Sequence, residues 1–314
     1  MQPLFLDSRD MLSVDITIIR VYTMRKKILL LLLIFCLIFL FGCNRERPDI
    51  QIAATTLPVY NFTSYLCQGT DIEVKRLITE EVSCLHDYSL QVDQMQIIEE
   101  SELLVISGAG LESFLEDAMA SAEEIVDAST GIAYQCAEHS HDEHDGHHHE
   151  FDPHIWLSPA NAQKMSENIY MSLAEYFPEH KDIFLQNYVL LSEKFMDLEN
   201  YALTTLSDIS QKEIITFHDG FSYMAQAFDL TILEAIEEES GSEASARELI
   251  QLINLAKEHH LPAIFVEKNN PGSAAYIIST EIDIPVFQLD MALSGESYFD
   301  AMYRNIDTLK EALK

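Results

Sequence analysis

The segment "EHKDIFLQNYVLLSEKFMDLENYALTTLSDI", residues 179–209, decides how this chain is organised. It contains neither glycine nor proline and directly follows Pro178, which is typical of the start of a long helix. A single helix of this length would span about 45 Å at 1.5 Å per residue. Two helices with an unmarked break are the alternative. We predict a rigid linking helix at 178–209 that separates two compact lobes.

Strand and helix patterns alternate on both sides of this segment. Before it, the strand-like segments are 50–58, 72–78, 103–108 and 124–129. After it, they are 212–219, 231–237, 262–268 and 284–290. Alternation at this spacing indicates parallel sheets with helices on both faces. The predicted fold class is therefore α/β, with two lobes that each contain a parallel β-sheet flanked by helices and are joined by the long helix. We place the N-terminal lobe at 44–177 and the C-terminal lobe at 210–314.

The charge of the chain excludes one class of partner. The 314 residues carry 52 acidic and 19 basic side chains, a formal net charge of -33. Nucleic-acid binding needs a basic surface, so we expect no nucleic-acid partner. The acidic surface is expected mainly to keep the protein soluble, and it attracts cations non-specifically.

The N-terminus has the parts of a secretory signal, which we assign to residues 1–43. Basic residues at 25–27 precede the apolar run "ILLLLLIFCLIFLF" at 28–41, which is short for a membrane span of roughly twenty residues. The following "LFGC" resembles a bacterial lipobox, whose cysteine, here Cys43, would carry the lipid. A plain signal anchor is the alternative. We expect an extracytoplasmic protein, lipid-anchored to the bacterial cell membrane.

The cysteine count leaves the disulfide state open. Beyond the signal, the chain has three cysteines, Cys67, Cys84 and Cys136. An odd number outside the cell permits one disulfide at most, and the sequence does not determine the pair.

Four candidate metal ligands are dispersed along the sequence. In open α/β sheets, functional residues lie beyond the carboxyl ends of the strands. His86 lies in the loop after the second predicted strand, His218 closes the fifth and Asp290 closes the last, while His154 belongs to "DPHIWLSP" at 152–159. A lone histidine at a strand end is more often a surface residue. Together, three imidazoles and a carboxylate facing each other across the cleft between the lobes would form a four-coordinate set suited to zinc.

The segment "AEHSHDEHDGHHHE" at 137–150 differs in kind from the rest of the chain. It has no apolar periodicity and has the composition of a metal-binding loop. We interpret residues 138–150 as an accessory loop that gathers zinc or senses its abundance, and a dispensable acidic insert is the alternative. Its histidines are His139, His141, His144, His147, His148 and His149.

Several segments, in this order and spacing, resemble the metal-specific substrate-binding proteins of ABC importers, the zinc and manganese group of ZnuA and TroA type. The most specific are "DPHIWLSP" at 152–159 and "TFHDGFSYMAQAFDL" at 216–230. Others are "LITEEVSCLHDYS" at 77–89 and "VFQLDMALSGESY" at 286–298. The resemblance extends from about residue 50 to the C-terminus.

The resemblance implies roles for individual residues. His86, His154 and His218 match the three histidine ligands of the family, and Asp290 matches its variable acidic position, which water sometimes fills. Glu267 matches an acidic residue near the site, where we expect it to hydrogen-bond a ligand imidazole. Asp219 is a second candidate for such a supporting role. Because the third position is often glutamate in manganese-binding members, His218 favours Zn(II) over Mn(II) as the transported ion.

The resemblance implies a receptor rather than an enzyme. We expect it to capture Zn(II) and deliver it to an ABC permease and its ATPase, and to act as a monomer. One alternative is a zinc hydrolase with Glu267 as the base, but the sequence has neither an H-E-x-x-H nor a G-x-S-x-G motif. Another alternative is a metal-binding adhesin or buffer without a transporter.

Overall fold

The structure is a computed structural model that describes residues 51–82, 85, 88–135, 151–236, 245–269, 272–295 and 297–314. The strands of the first sheet are β1 (Ile52–Ala54), β2 (Val74–Arg76), β3 (Leu103–Ile106) and β4 (Ile125–Asp127). Those of the second are β5 (Glu213–Phe217), β6 (Thr231–Ala235), β7 (Ile264–Glu267) and β8 (Val286–Leu289). All neighbouring strands are parallel, in the orders β2-β1-β3-β4 and β6-β5-β7-β8. The predicted fold class is confirmed.

Helices connect and cover the strands. The first lobe has α1 (Leu57–Leu66), α2 (Val92–Glu100), α3 (Glu116–Met119) and α4 (Pro159–Tyr176). The long helix is α5 (Lys181–Thr205), and the second lobe has α6 (Ser222–Ala227), α7 (Ala246–Glu258), α8 (Ser273–Ile282) and α9 (Tyr298–Ala312). Short 3-10 turns occupy Ser113–Leu115, Ile155–Leu157 and Pro178–His180. The exact lobe boundaries remain a prediction.

The long helix is continuous and packs against both lobes. It has 25 residues, about 38 Å at 1.5 Å per residue, and follows the 3-10 turn that Pro178 begins. The ring of its buried Phe195 lies 5.4 Å from that of Phe62 on α1 and 6.1 Å from that of Tyr298 on α9, between centroids. The rings of Phe62 and Tyr298 also contact each other, with centroids 5.0 Å apart, so one aromatic cluster joins α5 to α1 and α9. The helix α5 is therefore packed against an element of each lobe.

A buried glutamate closes the carboxyl edge of the first sheet. Glu112 accepts hydrogen bonds from the hydroxyl of Thr55, which follows β1, and from the backbone amides of Ser107 and Gly108, which follow β3. Burial raises the pKa of Glu112 to about 7, and these hydrogen bonds oppose that rise only in part. The sequence patterns did not single out this residue.

Glu112 is expected to make stability depend on pH. Because its folded-state pKa is above the unfolded value, its contribution to stability is present below about pH 4.5 and is lost as the pH rises to about 7. The shift corresponds to roughly 3 kcal/mol at about 1.4 kcal/mol per unit. In urea unfolding from pH 4 to 8, the stability of the wild type relative to Glu112→Gln should fall by that order. A pH-independent difference would contradict this expectation.

The described part of the chain contains no candidate membrane span, and its one described cysteine is a free thiol. Its helices include none long and apolar enough to cross a membrane. Cys67 is a buried free thiol whose pKa burial raises to about 12. Cys84 and Cys136 lie outside the described residues.

Candidate metal centre

The register of the second sheet brings three of the predicted residues to one edge. Phe217 on β5 pairs with Val266 on β7, so His218 and Glu267 lie side by side at the carboxyl ends of neighbouring strands. Glu267 pairs with Leu289 on β8, and Asp290 follows directly. His218, Glu267 and Asp290 are all buried. The predicted strand-end placement therefore arises from pairing between strands that are far apart in sequence.

His154 belongs to the first lobe, and its ring lies beside that of His218 at this edge of the second sheet. It precedes the 3-10 turn Ile155–Leu157, whose three side chains are fully buried. Asp152 holds it twice, because one carboxylate oxygen accepts from both the His154 backbone amide at 2.9 Å and the ring Nδ1 at 2.8 Å. With Nδ1–H donated to Asp152, the lone pair that can bind a metal is on Nε2.

Asp152 is itself held as an ionised carboxylate. Burial raises its pKa, but hydrogen bonds from His154 and from the hydroxyl of Ser222 outweigh burial, and the net shift is downward. Tyr223 donates to the Asp152 carbonyl at 3.1 Å. Both Ser222 and Tyr223 belong to α6 of the second lobe, so Asp152 orients His154 while it contacts the opposite half of the site.

The two described imidazoles form a close pair. His154 and His218 are 2% and 5% exposed, and their ring centroids lie 5.2 Å apart with the planes at 78°. Two imidazoles on one tetrahedral zinc have ring centroids roughly 5 Å apart, given Zn–N bonds of about 2.0–2.1 Å. The observed spacing fits such a pair of ligands.

Gly220 makes this approach possible. A Cβ at this position would lie 2.7 Å from Cδ2 and Nε2 of His218 and 2.8 Å from Nδ1 of His154. Real Cβ atoms essentially never approach other heavy atoms this closely. Any residue larger than glycine at this position would therefore collide with the two buried imidazole rings.

Glu267 lies beside His218 without a hydrogen bond to it. Its Oε2 is 3.9 Å from His218 Nδ1, longer than the hydrogen bond expected from the sequence. Neither carboxylate oxygen has a hydrogen-bond partner among the described residues. Burial, and then the nearby charge of Asp290, raise the pKa of Glu267 to about 8. Its supporting role remains a prediction.

Asp290 is bound to two cations. Its Oδ2 accepts from Lys268 Nζ at 3.0 Å and from Arg304 Nη2 at 3.2 Å, while Oδ1 accepts from the Ala292 amide at 2.9 Å. The side chain of Asn305 binds the Asp290 backbone on both its amide and its carbonyl. The backbone of Asp290 is thus rigidly placed, and its charge is compensated by Lys268 and Arg304.

Hydrogen bonds across the cleft fix the two edges relative to each other. Trp156 donates from its indole to the Met291 carbonyl at 2.8 Å, and Tyr298 donates to the Trp156 carbonyl at 2.8 Å. Arg76 at the end of β2 donates to the carbonyls of Leu293 and Gly295. The segment after Asp290 is therefore attached to the first lobe.

The predicted residues fall into two groups. The structure places His154 beside His218, His218 beside Glu267, and Glu267 and Asp290 at the ends of neighbouring strands. Asp219, half-buried, is adjacent to His218 in sequence. The other predicted residues lie outside the described ranges: His86, Cys43, His139, His141, His144, His147, His148 and His149. Within the described residues, no group of three His, Cys, Asp or Glu side chains could hold a metal ion. His86 therefore remains the predicted third imidazole.

Sequence reasoning missed several residues that the structure places here. Asp152 could have been found, because an acidic residue two positions before a ligand histidine can reach its ring. Gly220, Lys268 and Arg304 carry no comparable signal. Their roles depend on distances between segments that only the folded chain defines.

Comparisons with known proteins all match this chain to zinc-binding and zinc-uptake proteins. The sequence profile of the family "Zinc-uptake complex component A periplasmic", ZnuA, matches residues 52–312. The zinc-binding lipoprotein AdcA of Streptococcus pneumoniae is 30% identical over 306 residues, which are 91% of this chain and 61% of AdcA. The high-affinity zinc uptake system protein ZnuA of Bacillus subtilis is 30% identical over 291 residues, 87% of this chain and 90% of that protein.

A solved structure extends the comparison to the fold. The crystal structure of the Zn(II)-bound ZnuA-like domain of Streptococcus pneumoniae AdcA superposes with a TM-score of 0.71 at 25% identity. The match covers 84% of this chain and 98% of that domain. This chain thus spans about three-fifths of the length of full AdcA but nearly all of its ZnuA-like domain.

Proposed function

Because the chain belongs to the family of periplasmic zinc-uptake complex component A, we propose that it is an extracytoplasmic receptor that captures Zn(II) and delivers it to a membrane permease. The family is one of substrate-binding receptors rather than known enzymes. We propose the same for this chain, with an ABC permease and its ATPase as partners and a lipid on Cys43 as the membrane anchor.

The buried pair of His154 and His218 is the observation that carries this proposal. The two imidazoles come from different halves of the molecule, and their spacing fits a shared tetrahedral ion. Imidazole is intermediate between hard and soft ligands. It therefore suits zinc better than manganese, which prefers oxygen-rich sites. In this proposal, His86 supplies the third imidazole and Asp290 the carboxylate.

The surroundings of the pair suit tight capture of an ion rather than catalysis. A catalytic zinc site keeps one coordination position open for water. Three imidazoles and a carboxylate would instead surround the ion, and both described imidazoles are almost fully buried. Delivery then requires the two halves of the site to separate. The hydrogen bonds of Trp156 and Arg76 across the cleft are among the contacts that such a movement must break, as are those from α6 to Asp152.

Competitive calorimetry tests the proposal. Zn(II) and Mn(II) would be titrated into the protein from residue 44 onward, with and without residues 138–150. We expect one tight zinc site and weaker manganese binding in both forms, because the primary ligands lie outside the loop. The additional histidines should contribute only weaker sites, which disappear with the loop.

A tight site that disappears with the loop would contradict the assignment. In that case the His-rich segment itself would be the zinc-binding element. Manganese binding as tight as that of zinc would contradict the proposed ion.

A further inference from the structure

The carboxylate of Asp290 at the proposed metal site is already bound to two cationic side chains of the protein. Lys268 Nζ and Arg304 Nη2 both donate to Oδ2 of Asp290, at 3.0 Å and 3.2 Å. A carboxylate oxygen has two lone pairs in its plane, so these two donors use the acceptor capacity of Oδ2. The other oxygen, Oδ1, already accepts from the Ala292 amide. One lone pair of Oδ1 remains, so an ion that binds Asp290 through Oδ2, or through both oxygens, must displace a donor.

Of the two cations, Lys268 is the one suited to displacement. Its ammonium group is a compact point charge on a flexible stem, whereas the guanidinium of Arg304 is planar and rigid. The Lys268 side chain is 45% exposed and can move into water, and the Arg304 side chain is 58% exposed, so the two differ in the geometry of the donor group rather than in exposure. The Lys268 backbone amide is bound to the Leu289 carbonyl at 2.9 Å, which keeps the root of the side chain at the sheet edge beside Glu267.

We propose that Lys268 is a built-in competitor of the metal ion for Asp290, and that its ammonium group is displaced when zinc binds. The inference rests on the proposed function. In the metal-free protein the ammonium group compensates the buried carboxylate, which would otherwise lie beside a second buried carboxyl group, Glu267. On metal binding, one cation replaces another, and the local charge changes by one unit less than it would without the exchange.

This competition makes Lys268 a selectivity-determining residue. Zinc gains much of its binding from imidazole, which Lys268 does not block. A hard ion such as Mn(II) depends more on the carboxylate, so the need to displace Lys268 weakens its binding more. The lysine therefore favours ions that bind the histidines well.

The test is the replacement of Lys268 by methionine, which keeps the length of the stem and removes the charge. In competitive titrations of the full chain, Lys268→Met should bind zinc about 1.5-fold to fivefold more tightly, the range for loss of one half-exposed ion pair. Its affinity for Mn(II) should rise by a larger factor. Lys164→Met is the matched control, because Lys164 is 42% exposed and pairs with Glu167 on α4. It should leave both affinities unchanged.

A double-mutant cycle separates displacement from a general change of charge. In an Asp290→Asn background, Lys268→Met should no longer alter zinc affinity, since the competition acts through Asp290. The same gain in both backgrounds would overturn the proposal, because the lysine would then act only by long-range repulsion. Weaker zinc binding in Lys268→Met would also overturn it, since Lys268 would then position Asp290 as a ligand.

The outcomes also distinguish this inference from the proposed function. If the wild type binds zinc tightly and Lys268→Met binds it equally well, only the displacement is overturned. If the wild type does not bind zinc, both fall. Thermal unfolding gives an independent readout, because the zinc-induced rise in Tm should be larger for Lys268→Met than for the wild type if zinc binds it more tightly.

Discussion

His154→Ala is expected to abolish the tight zinc site while leaving the protein folded. Zinc sites with four ligands have roughly 10–16 kcal/mol of binding free energy, so one ligand contributes on the order of 3–4 kcal/mol, or about 10²- to 10³-fold in affinity. The loss should be near the upper end here, because the ring of His154 is buried and oriented by Asp152. Competitive zinc titration measures the effect, and thermal unfolding of the metal-free protein verifies the fold.

Two further variants make this result specific. His180→Ala removes a histidine that pairs with Asp71 on the surface, and it should leave zinc affinity unchanged. Asp152→Asn keeps the ligand but weakens the hydrogen bond that orients it, and it should reduce affinity by about 10- to 100-fold. The order of loss should therefore be His154→Ala, then Asp152→Asn, then His180→Ala. Wild-type affinity in His154→Ala would exclude this histidine from the site.

Gly220→Ala is expected to damage the site although it removes no polar group. The new methyl carbon would lie 2.7–2.8 Å from ring atoms of both His154 and His218. Asp152 prevents the His154 ring from moving away freely, so the pair must spread or rotate away from the geometry that zinc requires. We expect at least about a tenfold to 100-fold loss of zinc affinity, and an overpacking cost of about 1–3 kcal/mol in stability.

Gly131→Ala provides the control for the backbone. Gly131 has a φ of 77° but no atom within 4 Å of the position of an added Cβ. Its replacement should therefore cost stability through backbone strain and leave zinc affinity unchanged. Zinc titration and urea unfolding of both variants separate the two effects. If Gly220→Ala lost stability but not zinc affinity, the two imidazoles would not act as one binding unit.

Much of the fold was predictable because it depends on local patterns. The segment at 103–108 was predicted as a strand, and its apolar run "LLVI" forms β3, which is buried throughout. The long segment without glycine or proline predicted one helix, and α5 is continuous although shorter than predicted. Between the predicted strands at 103–108 and 124–129, the chain forms a 3-10 turn followed by the short helix α3, a break that no glycine or proline within 111–122 marks.

The candidate site was predictable only in part. The rule that functional residues follow the carboxyl ends of parallel strands selected His218 and Asp290, and the register of β5, β7 and β8 places both at one edge. The hydrogen bond expected between Glu267 and an imidazole does not have hydrogen-bond length in the structure, where 3.9 Å separates Glu267 from His218. The desolvation of the buried carboxyl group is a property of its surroundings, which no local pattern encodes.

The sequence by itself determined the α/β class, the two blocks around one long helix, and which histidines follow strands. These properties depend on the period of apolar residues and on the positions of glycine and proline, which act over a few residues. Only the tertiary structure decided which charges and rings meet: Asp290 with Lys268 and Arg304, and His154 with Asp152, His218 and Gly220. Such contacts depend on strand register and on the packing of two lobes, where a shift of one residue would move each side chain to a different neighbour.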